Sequence, residues 1–173
     1  MKETISYMAC LLILLAYIGL ILKFAYDQSK KQDFSLTLFT VLFWYHFAFL
    51  IIYILLAGDK LVDFKNYVAI AENNSHMLTL KPGTTFIYLF TRLFTNNGFS
   101  LYSISIVYSM LGFIGVLFIF SAIKQRLGIE QGEKIYTVLA LILFIPGLSL
   151  CSVAIGKDSL FIFALGLILY GLV

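Results

Sequence analysis

Two aspartates one helical turn apart, Asp59 and Asp63, stand in GDKLVDFKNYVAIAENN (residues 58–74), between stretches of chain that are almost wholly apolar. As like charges at i and i+4, they hold one proton more tightly than either carboxylate would alone. A carboxylate in that condition suits a general base that takes a proton from a hydroxyl. Solvated loop carboxylates show the same spacing with no chemistry attached, so position alone leaves both readings open. A second charged pair, Lys157 and Asp158, lies between apolar stretches in IPGLSLCSVAIGKDSLFIF. A lysine there can hold a phosphate while the N-terminus of the following helix points N–H groups at the same anion. The plainer account is a solvated lysine, with Asp158 or Ser159 as the N-cap of that helix. Arg92 is the third candidate: its guanidinium suits bidentate phosphate recognition and equally suits snorkelling to lipid headgroups.

The elements that must carry these residues are membrane helices. The chain of 173 residues is 61% hydrophobic and 12% charged, with a mean hydropathy of +0.98. A soluble domain carries about 25% charge. The expected fold is therefore all-α, a polytopic membrane protein in one transmembrane domain. A net charge of +3, spread along the chain, argues for no nucleic-acid partner. Cys10 and Cys151 each lie in an apolar segment and offer neither metal-ligand spacing nor a disulfide framework. His46 and His76 have no ligand-spaced neighbours, so no metal site or cofactor is assigned, and the use of a divalent ion stays open. His46, within FWYHFAF, reads as a histidine facing another helix rather than as a proton relay.

About five spans are expected: residues 4–26, 34–57, 99–123, 135–155 and 159–173. Each of the first four meets the roughly 20 apolar residues that a bilayer core demands. The fourth is interrupted by Pro146-Gly147. The fifth stops after 15 residues, or about 22 Å of helix, so the chain reads as the front part of a longer multi-span protein. Lys23, Lys30 and Lys31 follow the first span, and Lys124, Arg126 and Lys134 follow the third. If both basic loops are cytoplasmic, the region 58–98 and the IGKDS turn face outward.

That outer loop carries two short amphipathic patterns, both read as helices lying in the interface with their apolar sides in lipid. In the first, Leu61, Phe64, Val68 and Ala71 form the apolar stripe, while Asp59, Asp63, Asn66 and Tyr67 share another face. In the second, Phe86, Leu89, Phe90 and Leu93 oppose Tyr88, Thr91, Arg92 and Thr95. One sequon, Asn73-Asn74-Ser75, lies between them.

Three stretches together resemble the multi-spanning sugar polymerases and glycosyltransferases of bacterial envelopes, among them the Wzy-type O-antigen and capsule polymerases, EpsG-like proteins and other GT-C-like enzymes. GDKLVDFKNYVAIAE is similar to the outer-loop pattern of that group, with Asp63 and Tyr67 matching its D-x-x-x-Y part. PGTTFIYLFTRLFTNNGFSLYSISIVYSMLGFIGVLFIF is similar to its following stretch, which ends in a span with G-x-x-G. IPGLSLCSVAIGKDSLFIFALGLILYG is similar to the segment with K-D/E before a further span; the family's tryptophan ahead of K-D/E is absent here. The resemblance covers about residues 55–173. It implies an enzyme of the bacterial cytoplasmic membrane, with a polyprenyl phosphate- or pyrophosphate-linked sugar donor and transfer to an acceptor hydroxyl. On that reading Asp63 or Asp59 is the base, and Lys157, Asp158, Arg92 and Tyr67 bind phosphate or substrate. Membrane lipid and other envelope-assembly proteins would be its partners. A polysaccharide transporter or lipid flippase fragment, or a non-catalytic membrane subunit, are the competing readings.

Overall fold

The computed structural model describes residues 35–57 and 84–173, together with 12, 15–19, 23, 26 and 27. All regular structure among them is helical. Residues 12, 15–19, 23, 26 and 27 are helical, within the expected first span. The remaining helices are α1 (Leu36–Ala57), α2 (Thr84–Thr95), α3 (Leu101–Leu127), α4 (Lys134–Ile142), α5 (Pro146–Val153) and α6 (Lys157–Gly171). α1 and α3 are each long and apolar enough to cross a membrane, and α4 with α5 passes the same test as one span bent by 50°. The expected amphipathic helix over 61–71 lies outside the described residues.

Polar and apolar residues are distributed as lipid surroundings favour. Trp44 is 61% exposed and Leu55 is 75% exposed, and Phe161 and Ile168 also face outward. Ser103, Ser105, Ser109, Ser149, Ser152 and Ser159 are buried between helices instead. Small and hydroxyl-bearing residues allow membrane helices to approach closely and to bond one another, while lipid accepts the large apolar side chains.

α3 is the central element, packed on α6, α5, α1 and α4. Its start is capped by the Ser100 hydroxyl, which accepts the Ser103 N–H, and its end by Gly128 in the left-handed conformation (φ 63°). Phe39 and Phe43 of α1 meet Phe113 edge-on, while His46, further along α1, meets Ser109. α1 and α3 therefore run in opposite directions. α6 runs with α3, because Gly115 faces Ile162 and Phe163 and Phe118 stacks on Tyr170 at 4.9 Å. A methyl group added to Gly115 would stand 2.6 Å from the Ile162 carbonyl and from Phe163 Cα. One added to Gly166 would stand 2.5 Å from the Gly115 carbonyl. Because these neighbours are backbone atoms, neither helix has a flexible end with which to make room.

The span expected over 135–155 is two helices. Pro146, first residue of α5, has no N–H to offer the Ile142 carbonyl, which takes the Ile145 N–H instead. Leu143 and Phe144 likewise bond three residues back, so the turn tightens before the chain bends. α1 supplies partners along the way. The Ser35 N–H donates to the Tyr136 hydroxyl (3.4 Å), the Tyr45 hydroxyl donates to the Phe144 carbonyl (2.7 Å), and the Ile155 N–H donates to the Tyr53 hydroxyl (3.0 Å). Residues 35, 45 and 53 thus meet 136, 144 and 155 in order. The bent pair follows α1 over about 27 Å at 1.5 Å per residue.

Two expectations follow from this packing. Gly115→Ala should lower stability in detergent by about 1–3 kcal/mol, the usual cost of overpacking. Gly147→Ala, with open space around it, should be neutral or slightly stabilising. Tyr45→Phe should cost about 1–3 kcal/mol by leaving the Phe144 carbonyl without its partner, whereas the same change at the exposed Tyr102 should cost little. Thermal unfolding of purified protein, read by circular dichroism, checks both pairs.

Candidate functional site

Because the chain direction alternates, the end of α1, the start of α3 and the α5–α6 turn collect at one end of the bundle. That end carries Lys157 and Asp158, both exposed in the first turn of α6. Gly156 is the N-cap of α6 and supplies no side chain. This corrects the capping expected of Asp158 or Ser159: both lie inside the helix, where Asp158 adds a favourable negative charge to the first turn. The Ser159 hydroxyl is buried and donates to the Gly156 carbonyl at 3.3 Å. The Tyr53 bond to Ile155 places this turn against α1, whose last residue is Ala57. The segment holding Asp59, Asp63 and Tyr67 departs from there, and those three residues lie outside the described ones.

Arg92 is half-buried on α2 and, with Phe86, Leu89, Phe90, Leu93 and Asn96, lines an open hollow of about 420 Å³. Phe86, Leu89 and Leu93 are exposed, as the amphipathic pattern predicts. The pattern misplaces Thr91. Grouped with the polar face, it is fully buried and shares a hydrogen bond with the Tyr108 hydroxyl of α3 at 2.9 Å. Phe90, grouped with the lipid-facing stripe, is half-buried and meets the Tyr108 ring edge-on at 5.5 Å. A helical wheel separates polar from apolar but cannot register that a threonine is small enough to sit beneath a helix and answer a tyrosine. A second hollow, about 430 Å³, opens between the far ends of α3 and α6 beside Arg126. Of the described site residues, Arg92, Lys157 and Asp158, none line it.

The sequence reading missed the partners of His46. The imidazole is buried, with Phe113 at 4.8 Å between ring centres. Its Nε2 lies 3.1 Å from the Ser109 hydroxyl and 3.2 Å from the Ser109 carbonyl, and its Nδ1 lies 3.3 Å from the Ser152 hydroxyl. Ser109 also bonds the buried Tyr17, and Ser152 donates to the Ser149 carbonyl at 2.9 Å. A hydroxyl has one proton to give. With the Ser152 proton committed to Ser149, an Nδ1–H donates to Ser152 and Nε2 accepts from the Ser109 hydroxyl. The other tautomer donates from Nε2 to the Ser109 carbonyl or hydroxyl and accepts from Ser152 at Nδ1, at the cost of the 2.9 Å bond to Ser149, the shortest of the set. The available signal was a set of hydroxyls, Ser109, Ser149 and Ser152, inside spans otherwise nearly apolar. Among the described residues, no three of His, Cys, Asp and Glu converge on a point that could hold a metal ion.

With only two histidines in the chain, nitrogen NMR of protein labelled at histidine, with His76→Asn removing the other signal, reads the tautomer directly. Near neutral pH a proton is expected on Nδ1 of His46 and none on Nε2. Compared with protein-family models, curated proteins and solved structures, the chain matches none of them.

Proposed function

We propose that this protein belongs to cell-envelope polysaccharide synthesis in the bacterial cytoplasmic membrane. In this reading it transfers or polymerises sugar from a polyprenyl phosphate- or pyrophosphate-linked donor on the outer face. Residues 4–26, α1, α3, the α4–α5 pair and α6 then make five crossings. The observation that carries the reading is the α5–α6 turn: an exposed lysine at a helix start, tied by Tyr53 to the end of α1 from which the two-aspartate segment departs. Asp63, or Asp59, takes the proton of the acceptor hydroxyl as its oxygen bonds the anomeric carbon. The bond from that carbon to the lipid phosphate breaks, and its electron pair leaves with the phosphate. Lys157, aided by the positive end of the α6 dipole, meets that growing charge. Arg92 and the apolar stripe of α2 hold the lipid end at the interface, while Asp158 and Tyr67 contact the sugar. Membrane lipid is a constant partner, and other envelope-assembly proteins would pass on the product.

A transporter or flippase is the second reading, and the bent α4–α5 pair beside the buried His46 cluster favours it, since broken helices and buried polar groups also line transport paths. Vesicles containing the full-length protein and a labelled polyprenyl-pyrophosphate oligosaccharide separate the two. Transfer predicts consumption of the donor, with kcat falling about 100-fold or more in Asp63→Asn and Lys157→Gln, both folded by thermal unfolding. A flippase would move the donor across the bilayer unconsumed. Unchanged activity in both variants would remove these residues from the mechanism.

A further inference from the structure

Ser152 of α5 is held from two sides. It is fully buried, and its backbone carbonyl lies so close to Gly112 of α3 that there is no room for a β-carbon there. Its hydroxyl meets His46 of α1, whose other ring nitrogen meets Ser109 of α3. α5 ends at Val153, the residue after Ser152; Ile155 then donates to Tyr53, and Lys157 opens α6. Among the described residues, the groups facing the imidazole are Ser109 and Phe113 from α3, Ser152 from α5 and, through Ser109, Tyr17, none of them charged. The ring can neither exchange an ion pair nor swing without losing a bond at each end.

We infer that His46 is a positioning residue: by bonding Ser152 and Ser109 together it locks α5 between α1 and α3, and with Tyr53 it sets where the Lys157–Asp158 turn stands. Its bearing on catalysis rests on the role proposed above for Lys157; its bearing on the placement of α5 does not. Two substitutions separate a lock from a filler of space. The amide of His46→Asn sits where Nδ1 was and retains a partner for Ser152. His46→Gln is closer in size, but its amide sits where Nε2 was and retains only Ser109. If His46 merely fills a polar cavity, glutamine is the better replacement.

The experiment uses the full-length protein in lipid with Cys10→Ser, spin labels on the exposed Cys151 of α5 and on Leu127→Cys at the end of α3, and donor turnover measured in parallel on unlabelled variants. The distance distribution is expected to be narrow with His46 and with His46→Asn, and broad or doubled in both His46→Gln and Ser152→Ala. Turnover is expected to stay within about 3-fold for His46→Asn and to fall about 100-fold for the other two, the scale of a 1 Å misplacement, with KM little changed. Narrow distances in all variants, or the reverse order of asparagine and glutamine, would overturn the lock. If no variant and no wild-type protein consumes donor, the proposed function fails, while the distances still decide the lock.

Discussion

A helix broken inside an apolar layer leaves backbone groups that water cannot reach, and each must find a partner in the protein or cost several kcal/mol. In this chain the break falls at residues 143–145, and α1 answers it. The Tyr45 hydroxyl takes up the Phe144 carbonyl, Tyr53 receives the Ile155 N–H, and His46 receives the bent span through Ser152. The rest of the structure depends on that service. Without it, α5 would have no reason to stand at 50° to α4, and the turn that opens α6 would have no fixed place.

The service is possible only because the backbones come close. Gly112 allows the Ser152 carbonyl against α3, and Gly115 and Gly166 bring α3 and α6 together. Glycine makes a poor helix residue by about 1 kcal/mol relative to alanine, and the gain is dispersion contact plus the reach of short side chains such as Ser109 and Ser152. Many large apolar side chains are turned outward here, while serine hydroxyls share the interior with Phe113, Leu117 and Phe120. A buried polar chain from Tyr17 through Ser109 and His46 to Ser152 and Ser149 couples the helical residues 15–19, α1, α3 and α5 at one level. A set of bonds whose donors and acceptors all match holds one arrangement of helices and penalises others.

The candidate chemistry sits one level further out, where charge is tolerated. Lys157 and Asp158 are exposed at a helix start, and Arg92 stands on a short helix whose apolar side is exposed. The α5–α6 turn and the end of α1 are tied directly, through Tyr53. α2 is tied to α3 through the Thr91–Tyr108 hydrogen bond and the Phe90–Tyr108 ring contact.

By itself the sequence determined the class of the molecule and the outline of its helices. Twenty-residue apolar runs have one stable form in lipid, so α1 and α3 were legible to within a few residues, and so was the amphipathic face of α2. A helix start beside Lys157 was legible, but two residues late: the structure opens α6 at Lys157 itself, after Gly156. Tertiary structure alone decided that Thr91 is interior, that Asp158 and Ser159 do not cap, that the helix over 134–153 is bent by 50°, and that His46 has partners at both nitrogens. A hydroxyl, a carbonyl or an imidazole is neutral to local propensity, and its meaning comes from which atom stands within hydrogen-bond reach. For His46 those atoms belong to residues more than sixty positions away, Ser109 and Ser152.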